Sequence, residues 1–291
     1  MKVIITIPAY NEEASLREVI SNIKNVMDKT NYDYIIQVLD DGSKDRTVEI
    51  AKEVGAKIYS NRRNLGLAKT FQEELRYAIE NKADIIVHTD ADGQYDPSHI
   101  PELIKKIEEG YDLVLGSRFG KKIKHMPFMK RIGNKAFSKV ISSLTGIDIT
   151  DSTTGYRAFT KEVAEEIEFI NTFTYTQEQI IKAAKEKFRI TEIFVRTRKT
   201  RESRLFKNPF EYALKAWINI LRIYRDYDPL KFFGITGGIL SSLGLIIGLW
   251  FVYLHFTTGI TGHLGLLILM ILLLLTGIQI ILFGFLADMR K

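Results

Sequence analysis

Residues 85–97 read Ile-Ile-Val-His-Thr-Asp-Ala-Asp-Gly-Gln-Tyr-Asp-Pro, an apolar run that ends in paired acids and a proline. Residues 85–89 are typical of a buried parallel strand, and the proline indicates the start of a helix over 97–109. The same pattern occurs elsewhere, with strands predicted at 2–7, 34–39 and 112–116 and helices at 13–27, 45–54 and 68–81. This alternation predicts an α/β fold, an open and mainly parallel sheet with helices on both faces.

Polar motifs follow three of these strands. They are Pro-Ala-Tyr-Asn-Glu at 8–12, Asp-Asp-Gly-Ser at 40–43 and Asp-Ala-Asp-Gly-Gln at 90–94. Ligands of open parallel sheets collect beyond the carboxyl ends of the strands, so these motifs are expected to converge on one rim. A single Asp-x-Asp is more often a capped turn than a metal site, but three polar strand ends together favour a ligand site.

The oxygen-rich motif at 90–94 predicts a divalent metal. Asp90 and Asp92 can face one ligand if the loop bends between them, and Gly93 eases that bend. Carboxylate oxygens with the amide oxygen of Gln94 suit Mg²⁺ or Mn²⁺, which keep open positions for substrate phosphates. Such a metal stabilises a departing nucleoside diphosphate.

Several classes of protein are excluded by what the sequence lacks. No Gly-x-Gly-x-x-Gly follows the first strand and no P-loop motif occurs, which argues against a dinucleotide oxidoreductase and a P-loop NTPase. The chain has no cysteine, so disulfides, thiolate metal sites and a cysteine nucleophile are excluded. It also lacks the aromatic-basic and zinc motifs of nucleic-acid binding, and no nucleic-acid partner is expected.

The C-terminal part has a membrane composition. No Asp, Glu, Lys or Arg occurs in the 56 residues from 232 to 287. Two apolar stretches, about 232–254 and 264–286, are each long enough to cross the hydrocarbon core. Lys and Arg flank the pair, and the loop between them has none, so both termini and the catalytic part are expected in the cytoplasm.

A basic segment precedes the first span. Residues 187–225 contain eleven Lys and Arg against three acids, and 209–225 have apolar residues at helical spacing. These features predict an interfacial amphipathic helix. The domains are therefore predicted as a catalytic domain at 1–208, a juxtamembrane helix at 209–230 and a transmembrane hairpin at 231–288, through which homo-oligomers could form.

The motifs together resemble the family 2 glycosyltransferases, and within them the polyprenyl-phosphate branch that includes dolichyl-phosphate mannose synthases and undecaprenyl-phosphate glucosyltransferases. The residues that carry the resemblance follow the family's order over about the first 230 positions, at 8–13, 40–45, 64–66, 90–97, 116–118 and 151–159. The resemblance implies a GT-A-like catalytic domain. It also implies transfer of a hexosyl group from GDP-mannose or a UDP-sugar to dolichyl or undecaprenyl phosphate, for glycan or glycoprotein assembly.

The resemblance implies a role for individual residues. Those of the nucleotide-sugar site are Pro8, Ala9, Tyr10, Glu12, Asp40, Asp90, Ala91 and Asp92. The acceptor phosphate is assigned to Arg118, Arg131, Arg201 and Arg204. The family often has Gly and Lys where this chain has Arg201 and Arg204, so the choice among Arg198, Arg201 and Arg204 stays open.

The expected reaction is a direct displacement that inverts the anomeric configuration. A lipid monophosphate is largely a dianion at neutral pH and needs arginines for orientation more than it needs a general base. Asp92, Arg118, Arg131 and Arg204 are therefore the predicted catalytic residues. His88 is expected to be buried in its strand, and Glu178 to be structural or sugar-contacting.

Two alternatives remain. A transferase acting on a hydroxyl of a lipid-linked glycan would use Glu178 as its base, although the Gln-x-x-Arg-Trp motif of processive members is absent. A non-catalytic membrane adaptor could keep the fold, but the intact Asp90, Asp92 and Gln94 argue against it. The sequence leaves the donor base and sugar undecided.

Overall fold

The computed structural model describes residues 1–119, 128–166, 175–198, 217–218, 221–223, 225–259 and 264–289. The chain forms two compact units, Met1–Leu214 and Lys215–Lys291, each of which is described by itself.

The first unit is built on one sheet. Its described strands are β1 (Lys2–Ala9), β2 (Asp33–Asp40), β3 (Lys57–Ser60), β4 (Ile85–His88), β5 (Leu113–Ser117), β6 (Arg157–Thr160) and β7 (Ile190–Phe194). Its described helices are α1 (Leu16–Met27), α2 (Thr47–Glu53), α3 (Leu67–Glu80), α4 (Ile100–Glu108), α5 (Phe128–Thr145), α6 (Lys161–Glu166) and α7 (Tyr175–Lys185). A 3₁₀ turn at Pro97–His99 leads into α4.

The strand order is β3-β2-β1-β4-β6-β5-β7, and only β6 runs against its neighbours. The other pairs are parallel, which confirms an open, mainly parallel sheet. Because β6 is reversed, its start lies at the edge where β4 and β5 end. The loop before β6, residues 151–156, is thereby delivered to the same rim as residues 90–94.

Apolar side chains cover both faces of the sheet. Val3, Ile5 and Ile7 are fully buried in a cluster with residues of α1, α2 and α4. The alternate position Thr6 faces the other side, where its hydroxyl lies 3.4 Å from Nδ1 of His88 and where α3 packs on β1 and β2. Each such buried aliphatic side chain contributes roughly 1.5–3 kcal/mol to folding. Helices on both faces, as predicted, hold the rim in place.

The strands and helices predicted for this unit are confirmed to within three residues at each end. The strands β3, β6 and β7 have no counterpart in the prediction. They are only four or five residues long, and β6 contains Arg157, whose charge breaks the apolar pattern by which buried strands are recognised.

The second unit contains two long apolar helices, α8 (Pro229–Thr258) and α9 (Leu264–Asp288). The carboxylate of Asp228 accepts the N–H of Lys231 and caps α8. At 1.5 Å per residue the helices are about 45 and 38 Å long, enough to cross a bilayer. They extend the predicted spans at one or both ends, and they are spans by length and composition.

Small residues allow α8 and α9 to pack closely. A Cβ at Gly277 would lie 2.7 Å from the carbonyl oxygen of Gly237 and would overlap the hydroxyl of Ser241. A Cβ at Gly244 would lie 2.9 Å from Leu274. Backbones that approach this closely gain dispersion contacts where no hydrophobic force between helices operates. The two helices therefore form a hairpin with one shared face.

The predicted amphipathic helix at 209–225 falls mostly outside the described residues. Within the described part, Trp217, Ile218 and Leu221 are exposed and Ile223 is buried.

Candidate active site

The loops after β1 and β2 are joined to each other. Ala9 pairs with Asp40 at the ends of the two strands, and the N–H of Asp41 donates to the Ala9 carbonyl at 2.8 Å. Asn11 has a φ of 55°, a left-handed conformation that asparagine tolerates better than most residues. Its N–H donates to Oγ of Ser43 at 2.9 Å. The two motifs therefore form one rim at the predicted edge.

The residues assigned to the nucleotide pocket occupy different levels of this rim. Pro8 and Ala9 are buried in the end of β1, whereas Tyr10 is 38% exposed. Glu12 is 8% exposed, and its N–H donates to Oγ1 of Thr47 at 2.8 Å. Of these four residues, Tyr10 is therefore the one whose side chain is exposed and available to a ligand.

The two acids at 40–41 differ in their partners. Asp40 is buried and accepts the N–H of Ser43 at 3.0 Å. Asp41 accepts three hydrogen bonds from another loop: from Nδ2 of Asn61 at 2.9 Å and from the N–H groups of Leu65 and Gly66 at 2.8 and 2.9 Å. Asp41 thus fixes residues 61–66 beside the rim, a role that the sequence analysis did not assign.

Gly42 lets these loops approach. Its φ is +76°, and a Cβ there would lie 2.8 Å from the carbonyl carbon of Arg63. A side chain at this position would strain the turn and push the loop at 61–66 away.

Asp90 and Asp92 follow β4 directly. The carboxylate of Asp90 lies against Gly155, where a Cβ would be 3.0 Å from Oδ1. Asp92 accepts the N–H of Gln94 at 2.9 Å through Oδ1, and Gly93 has a φ of +72°. The loop therefore turns at Gly93, directly after Asp92. A cavity of about 190 Å³ opens beside it, lined among others by Ser15, Glu18, Asn22, Asp90, Asp92 and Arg198.

The charges on this loop fit a divalent cation. Removal from water raises the pKa of Asp90, the adjacent charge of Asp92 raises it further, and the cations Arg118 and Arg157 oppose the shift. The pKa of Asp90 stays raised despite these cations, so the further positive charge of Mg²⁺ or Mn²⁺ would favour its ionised form. Within the described residues, no three His, Cys, Asp or Glu side chains form a closed metal cluster. A metal here would take its remaining ligands from substrate phosphates and water.

Arg118 is held by Asp151. Its Nε and Nη2 donate to the two carboxylate oxygens of Asp151 at 2.7 and 2.9 Å, and its N–H donates to Oδ2 at 3.0 Å. Burial opposes ionisation of Asp151, but Arg118 prevails and holds the pKa of that carboxyl below its usual range. The side chains are 7% and 0% exposed. Arg118 therefore lies at the rim as one member of a fixed ion pair.

Glu192 supports that ion pair from β7. Its carboxylate accepts the N–H and hydroxyl of Thr150 at 2.9 and 2.7 Å and the N–H of Asp151 at 3.0 Å. Glu192 on β7 thus positions Asp151, and Asp151 in turn holds Arg118 just after the end of β5. Glu192 belongs to no sequence motif, and only the pairing of β5 with β7 brings it near Asp151, so the sequence alone does not predict this contact.

A second buried cation lies behind the metal loop. Arg157 is fully buried, and its Nη1 donates to the Thr176 carbonyl at 3.1 Å and to Oε1 of Gln179 at 2.8 Å. Its Nη2 donates to the Thr154 carbonyl, next to the glycine that Asp90 contacts. Burial lowers the pKa of Arg157. This side chain joins the loop before β6 to the start of α7.

His88 is buried as predicted. Its Nδ1 lies 3.0 Å from Oε2 of Glu74, and its Nε2 lies 3.5 Å from the hydroxyl of Tyr175. Both Glu74 and His88 are fully buried under the rim. They belong to the packing on the α3 side of the sheet.

The segment after β7 is attached to the metal loop. Tyr95 and Thr197 form an antiparallel bridge, and the N–H of Arg198 donates to the Gln94 carbonyl at 2.8 Å. Tyr95 stacks on Tyr156 with ring centroids 4.9 Å apart, and burial raises the pKa of Tyr95 to about 12. The basic segment predicted from the sequence thus starts at the rim.

The other predicted cations are placed differently. Arg131 lies on an exposed position of α5. Arg201 and Arg204 lie outside the described residues. Glu178 is 1% exposed, and its Oε1 lies 3.5 Å from Nζ of Lys182.

This rim of acidic strand ends can be compared with known proteins. The sequence profile described as "Glycosyl transferase family 2" matches residues 4–168, more than half of the chain. The chain belongs to glycosyl transferase family 2. The resemblance inferred from the motifs is therefore confirmed, and the protein is a glycosyltransferase.

Relatives within family 2 include enzymes named for dolichyl phosphate. The chain is 35% identical over 216 residues to the UDP-N-acetylglucosamine–dolichyl-phosphate N-acetylglucosaminyltransferase of Methanococcus voltae, covering 66% of this chain and 84% of the relative. It is 33% identical over 258 residues to the dolichol-phosphate mannosyltransferase of Pyrococcus furiosus, covering 84% and 72%.

The fold also matches a solved structure. Glucosyl-3-phosphoglycerate synthase of Mycobacterium tuberculosis, crystallised with Mn²⁺, UDP and phosphoglyceric acid, superposes with a TM-score of 0.60 at 21% identity over 77% of each chain. The likeness confirms a GT-A-like fold for the first unit.

Proposed function

We propose that this family 2 enzyme transfers a hexosyl group from a nucleotide-diphosphate sugar to a polyprenyl phosphate, with inversion at the anomeric carbon. The observation that carries the proposal is the acidic loop at 90–94, held at the strand-end rim beside Arg118, in a chain whose relatives are named for dolichyl phosphate. The donor is GDP-mannose or a UDP-sugar, and the acceptor is a dolichyl or undecaprenyl phosphate.

The donor is proposed to bind across the joined loops of β1 and β2. Tyr10 would offer its exposed ring to the base, and Asp40, which pairs with Ala9 at the end of β2, would face the nucleotide. Asp90, Asp92 and Gln94 would hold Mg²⁺ or Mn²⁺ with the diphosphate, and that metal supplies charge neutralisation for the leaving group. Gly155 keeps the Asp90 carboxylate at its position.

The acceptor phosphate is proposed to meet Arg131 together with one of Arg198, Arg201 and Arg204, and Arg118 provides a fixed positive field. The bidentate pair with Asp151 occupies two nitrogens of Arg118, so its contribution to phosphate is mainly electrostatic. The anionic lipid phosphate needs no deprotonation before it attacks the anomeric carbon. Holding the phosphate in line with that carbon then accounts for much of the rate acceleration.

A hydroxyl acceptor would require an exposed base at Glu178. That carboxylate is almost fully buried and is near Lys182, which favours a structural role. The geometry therefore gives this alternative no support.

Membrane attachment is proposed to come from the hairpin of α8 and α9. Both helices have the length and composition of spans, and the positive-inside pattern favours a topology with both termini and the first unit on the cytoplasmic side. The hairpin keeps enzyme and lipid acceptor in the same plane, so a fragment 1–231 is expected to transfer poorly to long-chain lipid in bilayers.

The test is transfer from a panel of labelled GDP- and UDP-sugars to polyprenyl phosphates in membranes. We expect one donor to give a lipid-phosphate-linked sugar with an inverted anomeric centre by NMR. Asp92→Asn should abolish transfer while near-ultraviolet circular dichroism stays unchanged, and excess EDTA should do the same to the wild type. Full activity in EDTA, or retention of configuration, would contradict the proposal.

Two variants, Arg131→Ala and Glu178→Gln, test the acceptor site. Arg131→Ala should reduce transfer to lipid by orders of magnitude with little change in donor binding, because a lost clamp misplaces the nucleophile. An active Arg131→Ala enzyme beside an inactive but folded Glu178→Gln enzyme would favour the hydroxyl acceptor instead.

A further inference from the structure

Tyr95 directly follows the acidic loop at 90–94, and its contacts reach beyond that loop. The side chain is 6% exposed, and the backbone of Tyr95 bridges Thr197 in the segment after β7. Its hydroxyl oxygen accepts the N–H of Gly155 at 3.2 Å and the hydroxyl of Thr154 at 3.4 Å. One residue therefore joins the acidic loop both to the segment after β7 and to the loop before β6.

Gly155 is the residue against which the Asp90 carboxylate rests. A Cβ at Gly155 would lie 3.0 Å from Oδ1 and 3.4 Å from Oδ2 of Asp90, so the backbone there forms a wall beside both carboxylate oxygens. This wall is held from two directions. The carbonyl of Thr154 accepts a hydrogen bond from Nη2 of Arg157, and the N–H of Gly155 donates to Tyr95. The orientation of the Asp90 carboxylate therefore depends on the Tyr95 hydroxyl.

Tyr156 is a close counterpart of Tyr95 that lacks this contact. The two rings stack with centroids 4.9 Å apart and an interplanar angle of 19°. Tyr156 is fully buried, and its hydroxyl donates to the carbonyl of Asp96 at 3.2 Å. That bond is as long as the bond from Gly155 to Tyr95, but it ends on a residue beyond the acidic loop. Removal of one hydroxyl or the other therefore separates a role in packing from a role at Asp90.

We propose that Tyr95 is a positioning residue for the metal: its hydroxyl fixes Gly155 against Asp90 and so orients that carboxylate toward a divalent cation. The inference rests on the metal site proposed above at Asp90, Asp92 and Gln94, and it is independent of the identity of donor and acceptor. Removal of a group that orients a metal ligand typically weakens metal binding by about 10- to 100-fold. Tyr95 acts through the backbone of Gly155, so an effect at the lower end of that range is expected.

The test compares Tyr95→Phe with Tyr156→Phe in the full-length protein in detergent. Each variant removes one buried hydroxyl and keeps its ring, so the stack is retained in both. Mn²⁺ binding is measured by calorimetry, and Tm is measured by far-ultraviolet circular dichroism. We expect Tyr95→Phe to weaken Mn²⁺ binding roughly 10-fold, and Tyr156→Phe to bind Mn²⁺ as tightly as the wild type does. Both variants should lower Tm by similar amounts, because each loses a buried hydroxyl that makes hydrogen bonds.

Amide hydrogen exchange gives a second measurement that needs no metal. The N–H of Gly155 is protected by its bond to the Tyr95 hydroxyl. Tyr95→Phe should therefore speed exchange at Gly155 several-fold, whereas Tyr156→Phe should leave exchange at Gly155 close to the wild-type rate. This result would link the loss of Mn²⁺ affinity to the contact that the proposal names.

Three results would overturn the proposal. Equal losses of Mn²⁺ affinity in the two variants would assign both hydroxyls to packing, and an unchanged affinity in Tyr95→Phe would show that its hydroxyl has no effect on Asp90. A wild-type protein that binds no Mn²⁺ would leave Tyr95 no metal to position. Failure of the proposed transfer reaction appears differently, as a wild-type protein that binds Mn²⁺ but forms no lipid-linked sugar, and the comparison of the two variants is then still decisive.

Discussion

Removal of the carboxylate charge at Asp151 should destabilise the catalytic unit strongly. Asp151→Asn leaves the guanidinium of Arg118, whose side chain is 7% exposed, without its anionic partner. Breaking a buried pair by removing one partner costs about 3–5 kcal/mol. For a unit of this size each kilocalorie lowers Tm by roughly 2–4 °C, so a decrease of about 6–20 °C is expected.

The assay is thermal unfolding of the full chain in detergent by near-ultraviolet circular dichroism, which reports packed tyrosines such as Tyr95 and Tyr156. The control is the double variant Arg118→Met/Asp151→Leu, which removes both charges and should unfold closer to the wild type than Asp151→Asn does. A loss below about 1 kcal/mol in the single variant, typical of an exposed pair, would refute the reasoning. So would a double variant less stable than the single one.

The same pair predicts a dependence on pH. The pKa of Asp151 is lower in the folded state than in the unfolded state. Its contribution to stability is therefore fully present above the unfolded pKa, about 3.9, and is lost as the pH falls through the folded pKa. The difference in Tm between wild type and Asp151→Asn should remain constant near neutral pH and shrink in strong acid.

Three further changes test other parts of the structure. Gly155→Ala places a Cβ 3.0 Å from Oδ1 of Asp90, so Mn²⁺ affinity measured by calorimetry should fall about 10-fold or more; an unchanged affinity would contradict it. Gly277→Val introduces a side chain that overlaps Ser241, so spin-label distances across the hairpin should increase, and equal distances would count against close packing. Glu178→Gln should keep transfer near the wild-type rate while lowering Tm, because the carboxylate is buried; an inactive enzyme of unchanged stability would reverse that assignment.

The sheet and its rim could be predicted because their causes are local. Strands buried on both faces must be apolar, and the acids at 40–41 and 90–92 come at or just after the ends of two such strands. One short stretch of sequence therefore indicates both the strand and the place of its acids in the fold. The two long apolar helices were predicted for the same reason, since bilayer thickness sets their length.

The supporting residues could not be predicted because their causes are distant along the chain. Glu192 acts on Asp151 only because β7 pairs with β5. The sequence shows Arg157 only as part of a motif. Its hydrogen bonds to Thr176 and Gln179 depend on how α7 packs against the sheet, which the sequence does not show. Arg118 was predicted as a ligand of phosphate, and its assignment to Asp151 depends on a contact across 33 positions. That phosphate role stays a prediction.

The anchoring of residues 61–66 by Asp41 bears on how much sequence variation this loop tolerates. Two of the three hydrogen bonds to Asp41 come from backbone N–H groups, at Leu65 and Gly66, which most substitutions leave in place. The exposed side chains of Arg62, Arg63 and Asn64 can therefore vary with little cost to the fold. The position of the loop is therefore set by bonds that do not depend on the side chains it exposes.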